Sequence, residues 1–257
     1  MKVVTKQPLL VVDVGNTSTT LGLYGGGRIL KTGRVPTALC DAKRLRSKIN
    51  AFAGTRDIRG VVLSSVVPAV NRLWHTTARA IWADADWLQV SPKLDLSVPV
   101  TYPRPGRIGQ DRLANACGAA CRYGTPVVVA DFGTAVTFDV ISRTHGYVGG
   151  VIAPGLPLMF SYLAEKTALL PHAGPGPIKH AVGKSTIEAM RMGALWGYRG
   201  LVREIVDEIS KRLHEPHVTL CATGGYAGWV LRGSGLKMKL DPDLTLFGLG
   251  RIYELNR

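Results

Sequence analysis

Apolar residues along this chain keep two rhythms, and the same opening figure is written twice. Leu9-Leu10-Val11-Val12 is an unbroken apolar run closed by Asp13 and Gly15, after which apolar and β-branched residues return from Thr19 to Tyr24. Short runs of this kind bounded by Gly and Asn read as strands joined by a sharp turn. Strands are predicted at 9–12, 19–24, 28–34 and 61–64, and helical spacing predicts basic amphipathic helices over 42–53 and 70–81. Pro99, Pro103 and Pro105 make 97–107 an irregular loop. A helix is predicted from Asp111 to Tyr123, with Gly124 as its stop.

The figure restarts at Val127. An apolar run over 127–131 ends in Asp131-Phe132-Gly133-Thr134, and Ala135-Val136-Thr137-Phe138 follows. A glycine-rich stretch covers 146–155, and a proline-bearing loop covers 165–180. Ser185-Thr186-Ile187-Glu188 fits a capping box. Behind it Ile187, Met190, Ala194, Leu201, Ile205 and Ile209 recur at helical spacing, so the longest helix is predicted over 185–213. Gly193, Gly197 and Gly200 weaken that helix and suggest close packing against a neighbour. A buried strand at 218–222 leads into Thr223-Gly224-Gly225 and another helix. The chain is therefore expected to be two α/β halves, residues 1–112 and 113–257, related by an approximate duplication.

The repeated turn carries the candidate chemistry. An Asp at a strand end supplies negative charge, Gly lets backbone approach a ligand, and Asn or Thr adds short donors. One such turn is ordinarily an Asx-turn capping its own hairpin. Two in equivalent halves point to a shared cleft for a phosphate chain and its cation. Two familiar nucleotide signatures are absent. Gly183-Lys184-Ser185 resembles the tail of a phosphate loop, but the required earlier Gly is Ile178. Gly25-Gly26-Gly27 does not continue into a dinucleotide fingerprint.

Gly109-Gln110-Asp111-Arg112 stands where the proline-broken loop meets a helix start. Asp111 could simply be an N-cap. With Arg112 and the nearby Tyr102 it could instead accept a hydroxyl proton while the arginine holds an anionic group. Thr223-Gly224-Gly225 could admit a purine or ribose against bare backbone, or be a tight strand-to-helix turn. His214 and His217 flank Pro216 and read as surface residues, not ligands.

Composition narrows the class. Apolar residues make up 46% of the 257, enough for a sizeable core and against intrinsic disorder. Cys40, Cys117, Cys121 and Cys221 form no C-x-x-C pair, which argues against a zinc site and suits a reducing compartment. No leader or membrane-spanning stretch is legible, so a cytoplasmic protein is expected. The net charge is +14, concentrated in the first half and densest at Lys43-Arg44-Leu45-Arg46-Ser47-Lys48. No aromatic residues interleave these charges as stacking platforms, which favours a solvated helix face over a nucleic-acid surface.

Taken in order, Asp13-Val14-Gly15-Asn16-Thr17, Gly109-Gln110-Asp111-Arg112, Asp131-Phe132-Gly133-Thr134-Ala135-Val136-Thr137, Gly149-Gly150-Val151-Ile152-Ala153-Pro154-Gly155, Thr167-Ala168-Leu169-Leu170-Pro171, Gly183-Lys184-Ser185-Thr186 and Thr223-Gly224-Gly225 resemble the type III pantothenate kinases. The resemblance spans nearly the whole chain. It implies an actin-like, sugar-kinase-like ATPase fold of two ribonuclease-H-like domains, and ATP-dependent phosphorylation of pantothenate in coenzyme A synthesis. It implies that Asp13, Val14, Gly15, Asn16, Thr17, Ser18, Thr19, Thr20 and Thr134 bind ATP with Mg2+, and that Asp131 binds a monovalent cation, K+ or NH4+. Asp111 matches the proton acceptor. Tyr102, Gly109, Gln110 and Arg112 match pantothenate contacts, with Thr186 contributed across a homodimer interface. Some members of the family are called Bvg accessory factors and have been regarded as regulators of transcription. A DNA-binding role, or phosphoryl transfer to another acceptor on the same fold, is the alternative.

Overall fold

A computed structural model describes residues 7–38 and 41–257. The chain divides into two compact units, one running to Gly124 and rejoined by Asp243–Arg257, the other Thr125–Pro242. The first unit holds β1 (Leu9–Val14), β2 (Ser18–Gly25), β3 (Arg28–Pro36), α1 (Ala42–Ala53), β4 (Gly60–Ser65), α2 (Pro68–Ile81), β5 (Asp86–Gln89) and α3 (Gln110–Tyr123). The second holds β6 (Val127–Phe132), β7 (Ala135–Ser142), β8 (Gly146–Pro154), α4 (Leu156–Lys166), α5 (Thr186–Leu213), β9 (Thr219–Thr223), α6 (Ala227–Leu231) and β10 (Lys239–Leu240). The chain then returns to the first unit as α7 (Leu244–Asn256).

The duplication extends to sheet topology. The first sheet runs β3-β2-β1-β4-β5 and the second β8-β7-β6-β9-β10. In each, three antiparallel strands continue into two parallel ones. β1 and β6 share one burial pattern along their six residues, apolar and buried except at Asp13 and Asp131. The second strand of each meander slips register at the equivalent place, Leu23/Tyr24 and Val140/Ile141. Central strands covered on both faces must be continuously apolar, so the Asp near the end of each is where the strand leaves the core.

The unit boundary differs from the division at 112 and 113. α3 stays with the first unit because α7 packs along it. A Cβ at Gly118 would lie 2.8 Å from the Leu244 carbonyl oxygen, and one at Gly248 would strike the Ala114 carbonyl. Small residues at this crossing let the two backbones approach closely. The hydrophobic periodicity gives no helix over 244–256, because Leu244, Leu246, Phe247, Leu249, Ile252 and Tyr253 are buried almost all round the helix. A helix surrounded by protein has no polar face to mark its period.

The long helix shows another difference. Its buried stripe is Met190, Ala194, Tyr198, Val202 and Val206, with Leu201, Ile205 and Ile209 only partly covered. Ile187 is exposed, as is Trp196, and nothing within 4 Å of this chain would meet a Cβ on Gly193, Gly197 or Gly200. The basic residues of α1 are exposed, and its Leu45, Ile49, Phe52 and Ala53 are buried. Cys117, Cys121 and Cys221 are free thiols, Cys117 in the core and Cys121 at the surface, while Cys40 lies outside the described residues. Among the described residues no helix is long and apolar enough to cross a membrane.

Candidate active site

In the first unit the turn after β1 is built from its own backbone and two neighbouring strands. Gly15 N–H donates to the Ser18 carbonyl at 3.2 Å, closing the hairpin. Thr37 Oγ1 donates to the Gly15 carbonyl at 2.6 Å and lies 3.0 Å from Thr19 Oγ1. Asn16 and Thr17 are exposed at the tip, whereas Val14 and Thr19 are fully buried. Asp13 stands opposite Thr20 on β2 and Ser64 on β4. Ser64 Oγ donates to Asp13 Oδ1 at 2.9 Å.

The start of α3 is tied to this same end of the sheet. Ser65 N–H donates to Gln110 Oε1 at 2.9 Å, so the residue after the Asp13 partner holds the residue before Asp111. The N-cap of α3 is Gly109, not Asp111. Asp111 lies inside the first turn, where its Oδ1 accepts the Arg112 backbone N–H at 2.9 Å. Burial pushes the Asp111 carboxyl above the usual carboxylate range, with the Arg112 backbone N–H and charge pulling the other way. A Cβ at Gly109 would strike Asp111 Oδ1, so that the carboxylate would have to shift. Tyr102 is exposed on the preceding loop.

The second unit repeats the first arrangement. Gly133 N–H donates to the Ala135 carbonyl at 3.1 Å, and Asp131 stands opposite Thr137 on β7 and Thr223 on β9. Thr223 is thus the counterpart of Ser64. Gly224 has φ +89, and a Cβ there would lie 2.5 Å from Asp131 Oδ1. Thr223-Gly224-Gly225 is therefore the floor beneath the Asp131 turn as well as a strand-to-helix bend. Gly155 abuts Thr134, whose own side is exposed. Tyr198 of α5 is buried with its ring centroid 6.1 Å from that of Phe132. Its phenol is pushed up by burial and, more weakly, by the Asp131 charge. Thr186 is exposed at the first turn of α5.

Sequence reasoning missed Ser64, Thr37 and the tether between Ser65 and Gln110. A signal for Ser64 was present: two serines end an apolar strand, as Thr223 ends another. Among the described residues no group of three or more His, Cys, Asp or Glu gathers in metal-binding array.

A sequence profile of the type III pantothenate kinases matches residues 9–208. A type III pantothenate kinase from Akkermansia muciniphila is 44% identical over 249 residues, covering 96% of this chain and 98% of the relative. The chain belongs to the type III pantothenate kinase family. Solved structures add the fold. A ROK family glucokinase from Streptomyces griseus, in complex with glucose and AMPPNP, aligns with a TM-score of 0.56 at 14% identity, over 97% of this chain and 99% of that one. A Baf family protein from Campylobacter jejuni aligns at 0.57 and 18% identity, over 96% and 98%. The chain has the actin-like, sugar-kinase-like ATPase fold.

Proposed function

We propose that this protein phosphorylates pantothenate with ATP, committing it to coenzyme A synthesis in the cytoplasm. The observation that carries the reading is the tether in the first unit. A turn suited to phosphate and a half-buried carboxyl suited to proton transfer sit at one sheet end, joined through Ser64, Ser65 and Gln110.

Residues 13–20 and Thr134 are assigned to ATP binding. Asn16, Thr17 and Thr134 are exposed and able to donate; the buried Val14 and Thr19 contribute backbone and shape. Asp13 and Asp131 are assigned to cations, Mg2+ with the nucleotide and K+ or NH4+ at Asp131. Such ions neutralise charge on the phosphates. Asp111 accepts the proton of the acceptor hydroxyl, and its raised pKa makes it a better base than an exposed carboxylate. Arg112 offsets the pantothenate carboxylate, with Tyr102, Gly109 and Gln110 lining the acceptor. Positioning and charge stabilisation supply most of the rate, as expected for phosphoryl transfer.

A homodimer with Thr186 reaching the neighbouring copy is supported by α5. A Cβ on Gly193, Gly197 or Gly200 would meet nothing of its own chain within 4 Å beyond the helix backbone, and the neighbouring Trp196 is exposed. A coupled assay of ADP release with pantothenate and ATP, with and without K+ or NH4+, tests the activity. Turnover with a sugar or acetate but none with pantothenate would move the acceptor assignment to another phosphotransferase reaction.

A further inference from the structure

Glu188 does more than a capping box asks of it. In that box the acid at this position returns to the N-cap backbone N–H. Here Ser185 Oγ accepts the Glu188 N–H at 3.2 Å, but the Glu188 carboxylate reaches past Ser185 into the loop before it. Its oxygens accept the backbone N–H of Lys179 at 2.8 Å, of His180 at 3.2 Å and of Lys184 at 3.0 Å. One oxygen also lies 2.8 Å from His180 Nδ1. Glu188 is 9% exposed, the buried acid of its helix. These donors pull its pKa down to about 2, led by the Lys184 and Lys179 N–H groups, so it is charged throughout the working range.

The segment so gathered has no helix or strand of its own between α4 and α5. It is rich in proline and glycine, and such a segment keeps one shape only when something outside it satisfies its backbone. Charge-assisted bonds to one carboxylate do this for Lys179, His180 and Lys184. Gly183 lies so close to α5 that a Cβ would sit 2.6 Å from the Ala189 nitrogen. Farther back, Arg191 Nε donates to the Gly174 carbonyl at 2.9 Å. Thr186 is the first residue of α5, directly after the gathered loop, and it is exposed.

We propose that Glu188 is a positioning residue for the acceptor substrate. Its carboxylate closes residues 179–185 over the start of α5, and that closure sets where Thr186 meets pantothenate. The proposal rests on the reading that Thr186 is a pantothenate contact.

The test uses the full chain and steady-state kinetics with pantothenate and ATP varied separately, on Glu188→Ala, Glu188→Gln, Thr186→Ala, Arg191→Gln and the Glu188→Ala/Thr186→Ala pair. Circular dichroism and size-exclusion chromatography check fold and assembly. Glu188→Ala is expected to raise KM for pantothenate about tenfold, with kcat and KM for ATP within about twofold. Glu188→Gln, which keeps the acceptor oxygen and the shape, recovers part of the loss and carries the test should the alanine variant not fold. The pair is expected to be no worse than Thr186→Ala alone, because both changes remove one function. Arg191→Gln, at the far end of the loop, leaves KM for pantothenate within about twofold. An unchanged KM in both Glu188 variants while Thr186→Ala raises it overturns the positioning role. An equal rise in Arg191→Gln overturns it too, by assigning the effect to a loosened loop. No effect of Thr186→Ala removes the contact on which the proposal rests, and is recognised by that variant alone.

Discussion

At the scale of single residues, Asp111 is where function and stability pull apart. Its folded pKa is raised chiefly by burial, so the fold favours the neutral acid. The cost of charging it is absent below the ordinary Asp value and grows as pH rises through the raised folded value. Asp111→Asn is therefore expected to melt higher than the native chain at neutral pH while losing about 10²- to 10⁴-fold in kcat. Calorimetry and the coupled assay read both effects. Near-native turnover in this variant would remove the base assignment. The native pH–rate profile is expected to climb on its acid side at a pH above that of an exposed carboxylate. Gly109→Ala attacks the same group sterically, because its methyl group must displace Asp111 Oδ1. It is expected to depress kcat with little change in melting temperature; full activity would show that Asp111 is free to move.

At the scale of elements, the unit that matters is a strand end with its two flanking hydroxyls. Asp13 stands opposite Thr20 and Ser64, and Asp131 opposite Thr137 and Thr223, in identical register. Ser64→Ala removes the bond to Asp13 Oδ1. It is expected to cost about 1–2 kcal/mol in urea unfolding and to raise KM for ATP more than KM for pantothenate. The capped start of α5 makes a pH statement. Glu188 is held down to about 2 against an ordinary 4.5. Its contribution is complete above the ordinary value and is lost as pH falls toward the folded one. The melting-temperature gap between the native chain and Glu188→Gln should thus narrow as pH falls below about 4.5. A gap that instead widened in acid would contradict the hydrogen-bond pattern around this carboxylate.

At the scale of the whole molecule, the open glycine stripe on α5 and the exposed Thr186 make one expectation together. If each copy completes its neighbour's acceptor site, an inactive Asp111→Asn chain and a weakened Thr186→Ala chain should complement. Their mixed dimer carries one site with both native residues. Co-refolded at equal amounts, the pair is expected to regain about a quarter of native turnover at low pantothenate, since half the dimers are mixed and each has one intact site. Activity no greater than the average of the two separate variants would place Thr186 in its own chain's site.

The chain order of residues determined a great deal by itself. Continuous apolar runs ending in Asp13-Val14-Gly15 and Asp131-Phe132-Gly133 fixed two buried strands and two turns, because a strand covered on both faces has no polar position until it leaves the core. The same local logic placed α1, α3 and α5 near their observed limits, since amphipathic spacing and caps act within a few residues. What tertiary structure alone decided is what depends on distant partners. α7 joins the first unit across the whole second one, and its all-round burial erased the period that would have announced it. Ser64 and Thr37 meet the first turn from elsewhere in the chain, and Gln110 meets Ser65, through register and side-chain bonds that no local pattern encodes. Glu188 looked like half of a capping box, and the folded chain turned its charge onto a loop instead. Periodicity reports which face an element buries; which atoms it buries that face against is settled only when the elements pack.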